Sequence, residues 1–409
     1  MIGGGAIGVA SAHYLSHSGW QVTVIESGEV GRGCSYGNAC LIVPSHSHPL
    51  PGPGVIKQAI RWMLQKESPV YVRPRLDPGL LRWSWKFQRF CRQEPAERGF
   101  HALLELSRAS LELFEDLVQA HRLDFFYQRK GLLHVYLSEQ GITEARHEQE
   151  MLERVGFQVR LLSRQETLEF EPALSARVRG GLLIEGEAHG NSFGYVRAMA
   201  SALEKRGVRL STGQAVSRIL VQRGKVDRIL TASPEGEIPA DLVVLAAGSW
   251  TPALARPLGI RIPLQPAKGY SCTIDRYPGS PSIPVMVHER RIAITPLDTR
   301  LRFGGTLELA GYDLGLNETR YRAVVNAARE VLKVSLQLKN EEAWCGLRPL
   351  TPDGLPIIDR APGIDGLLVA TGHAMLGFTQ SPITGKLVAE LANGETPSVS
   401  LTPFRLDRF

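Results

Sequence analysis

The chain lacks most of the features that would place it in a specialised class. Its five cysteines (Cys34, Cys40, Cys91, Cys272, Cys345) are odd in number, widely spread and without a CxxC pair. A disulfide scaffold and a thiolate zinc site are thereby excluded, and free thiols in a reducing compartment are expected. No apolar run approaches the roughly 20 residues that span a bilayer. The opening residues carry no basic stretch followed by a long apolar one, so no secretory signal is expected and the location is read as cytoplasmic. Low-complexity tracts and internal repeats are missing too. With Gly at 41 and Pro at 26 of 409 residues, the chain is neither collagen-like nor disordered. What remains is a globular chain long enough for two domains.

The formal net charge of +6 invites a nucleic-acid reading, but its distribution opposes one. Nine Lys/Arg stand against Glu67 and Asp77 between Lys57 and Arg92, and the rest of the chain is close to neutral. A basic balance confined to one segment, with no binding fold around it, excludes nucleic acid as the partner. Inside that segment, Arg82 to Arg92 (RWSWKFQRFCR) sets Trp83, Phe87 and Phe90 on one helical face among cations. Such a face is either core edged by solvated cations or a peripheral contact on an anionic bilayer. In the second case residues 82–92 would sit on the inner face of the membrane, near a quinone or other respiratory-chain acceptor.

Apolar, β-branched runs alternate with helical periods, the pattern of an α/β (α+β) chain. A glycine turn opens the sequence, a helix is expected over Ala6–Ser18, and Gln21–Glu26 reads as a strand. Residues 31–54 form a long Gly/Ser/Pro-rich loop, a feature usually functional in a compact domain. Helices are expected near Val55–Gln65, Leu80–Arg92, Leu103–Ala120 and Glu318–Gln337, and strands over 131–137, 181–185 and 269–305. Leu242–Ala247 is apolar throughout, as a strand buried on both faces must be. A last unit pairs strand Leu367–Thr371 with helix Ile383–Ala392.

Gly3, Gly5 and Gly8 fit the pattern GxGxxG. The first glycine allows the tight turn, the second lets a pyrophosphate approach the backbone, and the third lets the helix pack close to its strand. The opening turn, with Ala6 and Ile7, presents unpaired N–H groups to the phosphates. Glu26 follows 18 residues after Gly8, where an acid binds ribose hydroxyls. One feature departs from a complete βαβ unit: only Met1 and Ile2 precede the glycines, so either the start is placed too late or most of the first strand is missing.

The second half of the nucleotide separates nicotinamide from flavin. Ser35, Asn38 and Ala39 lie in a loop of small residues and backbone donors, and Ala247, Gly248 and Trp250 end the apolar strand. Val216, in the strand-like stretch 208–230, is assigned to the same site. Gly372, His373, Leu376 and Gly377 join a strand to a helix whose N-terminus could face the ring edge of a flavin. Contacts from both chain ends favour FAD over a mobile nicotinamide.

These stretches make the chain resemble the bacterial D-amino acid dehydrogenases, FAD enzymes of the glycine oxidase and D-amino acid oxidase superfamily. The matching segments are Gly3–Gly8, Ser35–Ala39, Ala246–Trp250, Pro266–Tyr270, Trp344–Pro356 and Thr371–Gly377, in family order over nearly the whole chain. The resemblance implies an FAD-binding Rossmann-like domain with a discontinuous substrate domain carrying a mixed β-sheet. It implies oxidative deamination of D-amino acids, D-proline-type imino acids included, by hydride transfer from Cα to flavin N5, giving a 2-oxo acid and ammonia. Arg348 would hold the substrate carboxylate. Independently, arginine offers a planar bidentate fork that stays charged when buried. Two departures stand out: Cys40 replaces a glycine usual in relatives, and Cys345 is out of register with the flavin-bonded cysteine of sarcosine oxidases, so FAD is expected to be noncovalent.

His373 is expected either to contact flavin and substrate or to be a histidine satisfied by backbone. Tyr270 is expected to reach the carboxylate, wall the pocket or serve the core. His46 and His48 have a tempting spacing, but no carboxylate or thiol completes a metal site, and none is expected. The FAD-binding domain is read as 1–50, 190–258 and 345–409, and the substrate domain as 51–189 and 259–344. Glycine- or sarcosine-type oxidase chemistry using O₂, and a noncatalytic flavoprotein subunit, are the alternatives.

Overall fold

The computed structural model describes all residues except 64–67, 233–235 and 335–337. Two sheets organise it. The first is parallel at its centre and is organised by alternation of its apolar side chains. Val24, Val244, Ala246, Leu368 and Ala370 face helices Ala6–His17, Ser192–Lys205 and Ser381–Asn393. Ile25, Val243, Leu245, Leu367 and Val369 face the antiparallel ribbon of Val216–Gln222, Lys225–Thr231 and Glu237–Pro239. Each strand is therefore apolar on both faces, as the composition of 242–247 requires.

The expected gap at the first strand is filled by two residues. Ile2 bridges Ile25 on one side and Leu245 on the other in parallel. Its N–H donates to Val244 O at 2.9 Å, and Ile25 N–H donates to Met1 O at 2.9 Å. Thr23–Ile25 pairs in turn with Arg209–Ser211, and Val243–Leu245 with Leu367–Thr371. The short stub therefore joins the two halves of the sheet in register.

The second sheet has nine strands of mixed direction, drawn from both 70–184 and 265–350. Its long strand Gln265–Asp275, one in from the edge, lies between Arg300–Leu309 and Glu342–Leu350, both antiparallel to it. Tyr270, Cys272, Ile274 and Phe303 pack on one face against Tyr321, Val324 and Ala328 of helix Glu318–Val331. The other face meets the loop after the first strand: a Cβ on Gly304 would touch Ala39, and Arg302 donates to the carbonyls of Tyr36 and Asn38 at 2.7 and 3.1 Å. The two sheets thus meet across the loop 31–40.

Several expected boundaries move. The helix expected from Leu103 begins at Gln93, where Glu94 complements the helix dipole. The last helix begins at Ser381, and residues 374–380 are turns. Helix Val55–Met63 lies within its expected span, whose end at 64–65 is outside the described residues. The helix expected to run to Gln337 stops at Val331, and Leu332 is extended. The tail of that expectation, 335–337, is again outside the described residues.

Candidate active site

The loop 31–40, the ends of the parallel strands and the turn 371–378 enclose a cavity of about 480 Å³. Gly3, Gly5, Ala6 and Ile7 line it from the opening turn, and Glu26 from the end of the second strand. The three motif glycines have separable reasons to be glycine. Gly3 has φ +107, and a Cβ there would lie 2.4 Å from Ala246 O. Gly8 does not line the cavity; a Cβ on it would lie 1.9 Å from Gly3 O, so it lets the helix sit on the strand. Gly5 has only Ser35 Oγ at 3.4 Å from that position, which leaves the turn open toward the cavity. Ser35 Oγ accepts from Ala6 N–H at 2.9 Å and fixes the loop over the helix start. The Glu26 carboxylate accepts from the N–H groups of Gly4 at 2.7 Å and Gly28 at 3.0 Å, and from the Ser27 hydroxyl at 3.0 Å. An open glycine turn with a helix N-terminus and a fixed acid beside it suits the pyrophosphate and ribose of a dinucleotide.

Asn38, Val216, Ala247, Gly248, Trp250 and Gly377 also line the cavity. Ala39 does not; it packs on Gly304 of the large sheet. Nor do Gly372 and Leu376. Gly372 has φ +82 and would meet Thr351 Cγ2 at 2.7 Å if it carried a Cβ, while Leu376 packs into the helical core. The helix N-terminus expected at the ring edge is absent there, because the turn 374–380 lies between Gly372 and the helix. His373, Ala374, Gly377 and Phe378 line the cavity from that turn instead. Cys40 has φ +64. Its departure from glycine therefore places a side chain in the left-handed region, with Sγ buried beside Asn38 O rather than in the cavity.

Arg348 sits on strand Glu342–Leu350, opposite Ala267. Its guanidinium lies over Gly269, where a Cβ would be 2.3 Å away. Nη1 donates to Thr306 O at 2.6 Å, and Nη2 reaches Gly305 O at 3.5 Å. Among the described residues no carboxylate pairs with it, and burial lowers its pKa while leaving it charged. Arg302, in contrast, donates to Thr273 Oγ1 and to two loop carbonyls. Arg348 itself does not line the cavity; its strand neighbours Leu347 and Pro349 do, from the face opposite its side chain. Thr306 sits at a bulge with φ +58, rare for a β-branched residue, and its hydroxyl is buried without a partner.

His373 is buried, and its Nε2 lies 2.9 Å from Thr384 Oγ1. Desolvation lowers its pKa to about 3, so the ring is neutral and is held by the last helix. Tyr270 does not join Arg348. It is an odd number of residues from Ala267 and Gly269 and so projects from the opposite face of the sheet. There its hydroxyl donates to Glu308 and its ring packs in the core with Tyr321. Cys345 shares that face, with Sγ 3.2 Å from Leu314 O, and does not line the cavity.

Sequence reasoning missed Cys34 and Ser249, both of which line the cavity and donate to Leu347 O, at 2.7 and 2.9 Å. Burial pushes the Cys34 thiol up to about 12, so it is no thiolate. Ser249 lies inside the segment Ala246–Trp250 and Cys34 directly precedes Ser35–Ala39, which was the available signal. Thr306 carried none, since a bulge is invisible in composition. In the aromatic stripe of residues 82–92 the core alternative applies. Trp83 is buried and donates to Leu350 O at 3.0 Å, Phe87 stacks on it, and Phe90 meets Phe409. The exposed apolar groups are instead Leu81 and Trp85, with Ile56 and Ile60 nearby in sequence.

The geometry is that of a nucleotide-cofactor site, with Leu347 and Pro349 of the Arg348 strand on its wall. Residues 1–391 match the family model described as FAD dependent oxidoreductase, and the chain belongs to that family. It is therefore an FAD-dependent enzyme. It is similar to the D-amino acid dehydrogenase of Cereibacter sphaeroides, 33% identical over 415 residues that cover 100% of this chain and 94% of that one. Among solved structures it is similar in fold to glycine oxidase from Bacillus cereus, with TM-score 0.79, 22% identity, and 100% and 98% of the two chains covered. It is likewise similar to L-proline dehydrogenase from P. horikoshii, with TM-score 0.74, 21% identity, and 100% and 96% covered. Among the described residues no helix is long and apolar enough to cross a membrane.

Proposed function

We propose that the chain is a D-amino acid dehydrogenase that deaminates its substrate oxidatively. The reading rests on one observation above the rest: among the described residues the buried Arg348 has no acid partner and only one short hydrogen bond, to Thr306 O, and the Thr306 hydroxyl is buried without a partner. A charged fork with free donors asks for an anion of carboxylate shape. Bound FAD supplies the acceptor for the hydride that leaves the substrate Cα; the resulting imino acid takes up water and yields a 2-oxo acid and ammonia. Arg348 anchors the carboxylate and so orients Cα–H toward the cavity, which is where positioning yields rate. His373, neutral and fixed by Thr384, keeps the wall of the site in place. Tyr270 has no part in this, because it faces the core.

The names of the curated relatives support the D-stereochemistry and the dehydrogenase class. The fold alone does not, since its neighbours include an oxidase and an L-specific enzyme. FAD is held without a covalent bond in this reading, with Cys345 turned away. The FAD-binding part is assigned to 1–50, 190–258 and 345–409, and the substrate part to the remainder, with the strand Glu342–Leu350 shared between them. Electrons leave to a quinone or similar respiratory acceptor, and Leu81 and Trp85, set among Arg82, Arg89 and Arg92, give a surface for peripheral contact with the inner face of the membrane.

The test is anaerobic mixing of the holoenzyme with D- and L-amino acids, glycine, sarcosine and proline. Loss of the flavin absorbance with D-isomers, reoxidised by a quinone and not by O₂, is the expected result. Bleaching by glycine or sarcosine with peroxide formed in air would replace the reading with an amine oxidase. No bleaching by any amine would overturn it in favour of a noncatalytic flavoprotein.

A further inference from the structure

The far end of the cofactor-binding helix carries a second constellation that the chemistry above does not use. His13 and His17 are one turn apart on helix Ala6–His17, and His121 follows the C-terminus of helix Gln93–Gln119. One nitrogen from each of the three rings lies within 4.8 Å of the other two. The ring centroids are 4.1 Å apart for His13 and His17, 4.9 Å for His13 and His121, and 5.3 Å for His17 and His121. We propose that His13, His17 and His121 form a binding site for a divalent transition-metal ion of the imidazole-preferring kind, Zn²⁺ foremost, with water in the remaining position.

Three observations carry it. The first is the tautomer of His17: its Nδ1 lies 2.8 Å from His13 O, so Nδ1 must donate and Nε2 keeps its lone pair. A backbone carbonyl fixing the far nitrogen of a ligating imidazole is the usual outer-shell support of a metal site. The second is His13, which is buried yet whose Nδ1 has no partner among the described residues. Leaving a buried polar atom unpaired is costly unless something else satisfies the ring. The third is the field: the C-termini of both helices end here, and their dipoles favour a cation. Arg206, at the end of a third helix, opposes this charge.

Tetrahedral zinc with Zn–N near 2.0–2.1 Å needs ligand nitrogens roughly 3.3 Å apart. The cluster must therefore close by about an ångström or so. His17 and His121 are exposed, and exposed side chains reorient at little cost. Occupied, the site would clasp the loop after residue 119 to the helix whose other end faces the cofactor.

A second histidine cluster makes a control. His134, Glu148 and His288 also lie together, but each of these rings already has a close neighbour. His134 Nε2 lies 2.8 Å from His46 and its Nδ1 3.2 Å from Glu148, and His288 lies 2.9 Å from Glu144.

The experiment is equilibrium dialysis of chelator-washed holoenzyme against ZnCl₂ up to about 100 µM, with metal counted by mass spectrometry. The variants are His17→Ala, His121→Ala and His288→Ala, each checked for unchanged FAD content; the buried His13 is left alone. The expected result is one zinc per chain in the wild type and in His288→Ala, with affinity at least ~10-fold weaker in both His17→Ala and His121→Ala. No zinc bound by the wild type overturns the site, as does full affinity in either His17→Ala or His121→Ala. Loss of zinc in His288→Ala moves the metal to the other cluster and overturns it equally.

Discussion

Replacing Arg348 by methionine separates a binding residue from a structural one, because the two roles predict opposite effects on stability. The guanidinium lies over Gly269, makes one short hydrogen bond to Thr306 O and meets no carboxylate among the described residues. A desolvated charge held by carbonyl oxygens alone stabilises the free protein little, so an unbranched apolar side chain of similar length leaves the melting temperature unchanged or raises it. The substrate carboxylate, in contrast, loses a charge-assisted bidentate partner inside the protein. Truncation of such a pair costs about 2–5 kcal/mol, which is about 30- to 5000-fold in affinity. Arg348→Lys keeps the charge but loses the fork, and is expected to fall between wild type and Arg348→Met. The assay is anaerobic titration of flavin absorbance with a bleaching D-amino acid, alongside thermal unfolding of the FAD-loaded protein. Unchanged substrate affinity together with a lowered melting temperature would refute the carboxylate role and make Arg348 a strut between strands.

Two glycines of the opening turn are expected to fail differently. Gly8→Ala forces a Cβ to 1.9 Å from Gly3 O and should destabilise the protein by roughly 3 kcal/mol or more, read by unfolding of the apo form. Gly5→Ala meets nothing closer than 3.4 Å, so the apo form should melt normally while FAD affinity falls ~10-fold or more; equal melting losses in both would sink the distinction. Thr306→Gly removes a β-branched residue from φ +58 and is expected to stabilise by about 1 kcal/mol while raising KM; a lower melting temperature would mean that the bulge is not strained. Glu187 is buried with its pKa pushed up to about 8, so the folded state binds a proton that the unfolded state releases near 4.5. Its contribution is full below about 4.5 and is lost as pH rises to about 8, and Glu187→Gln should flatten stability across that window; an unchanged slope would refute it. Leu81→Ser with Trp85→Ser should abolish flotation with anionic vesicles without changing turnover on a soluble acceptor, and undiminished flotation would exclude that surface.

The glycine turn, Glu26 and the apolar strand 242–247 were legible in the sequence because each answers to a local rule. A tight turn with φ above zero requires glycine, a ribose acid follows at a helix-plus-strand distance, and a strand buried on both faces cannot alternate. Residues 3, 5–7, 26, 35, 38 and 247–250 line the cavity. What stayed hidden depends on facing. Tyr270 and Gly269 are neighbours in sequence, yet one side chain points into the core while the other position must stay empty for Arg348. A family motif such as Lys268-Gly-Tyr270 does not say which of its members faces the site, because a strand turns each residue away from the next. The same holds for the helix Pro78–Phe90, where helical spacing correctly grouped Trp83 with Phe87 but could not choose between core and surface for that stripe. The choice was made by Leu350, whose carbonyl takes the Trp83 N–H from 267 positions away.

The histidines show the limit in its strongest form. His46 and His48 stand two positions apart and suggest a shared ligand, yet in the fold His46 turns to His134 and His48 stacks on Phe100. His13 and His17 lie more than a hundred residues from His121, and the three converge because two helices end at one corner of the parallel sheet. Spacing in sequence reports a metal site only when one element supplies most of the ligands. Here the helix supplies two, at i and i+4, which was the available signal; the third is contributed by tertiary packing, and with it the free lone pairs that make the corner worth testing for an ion.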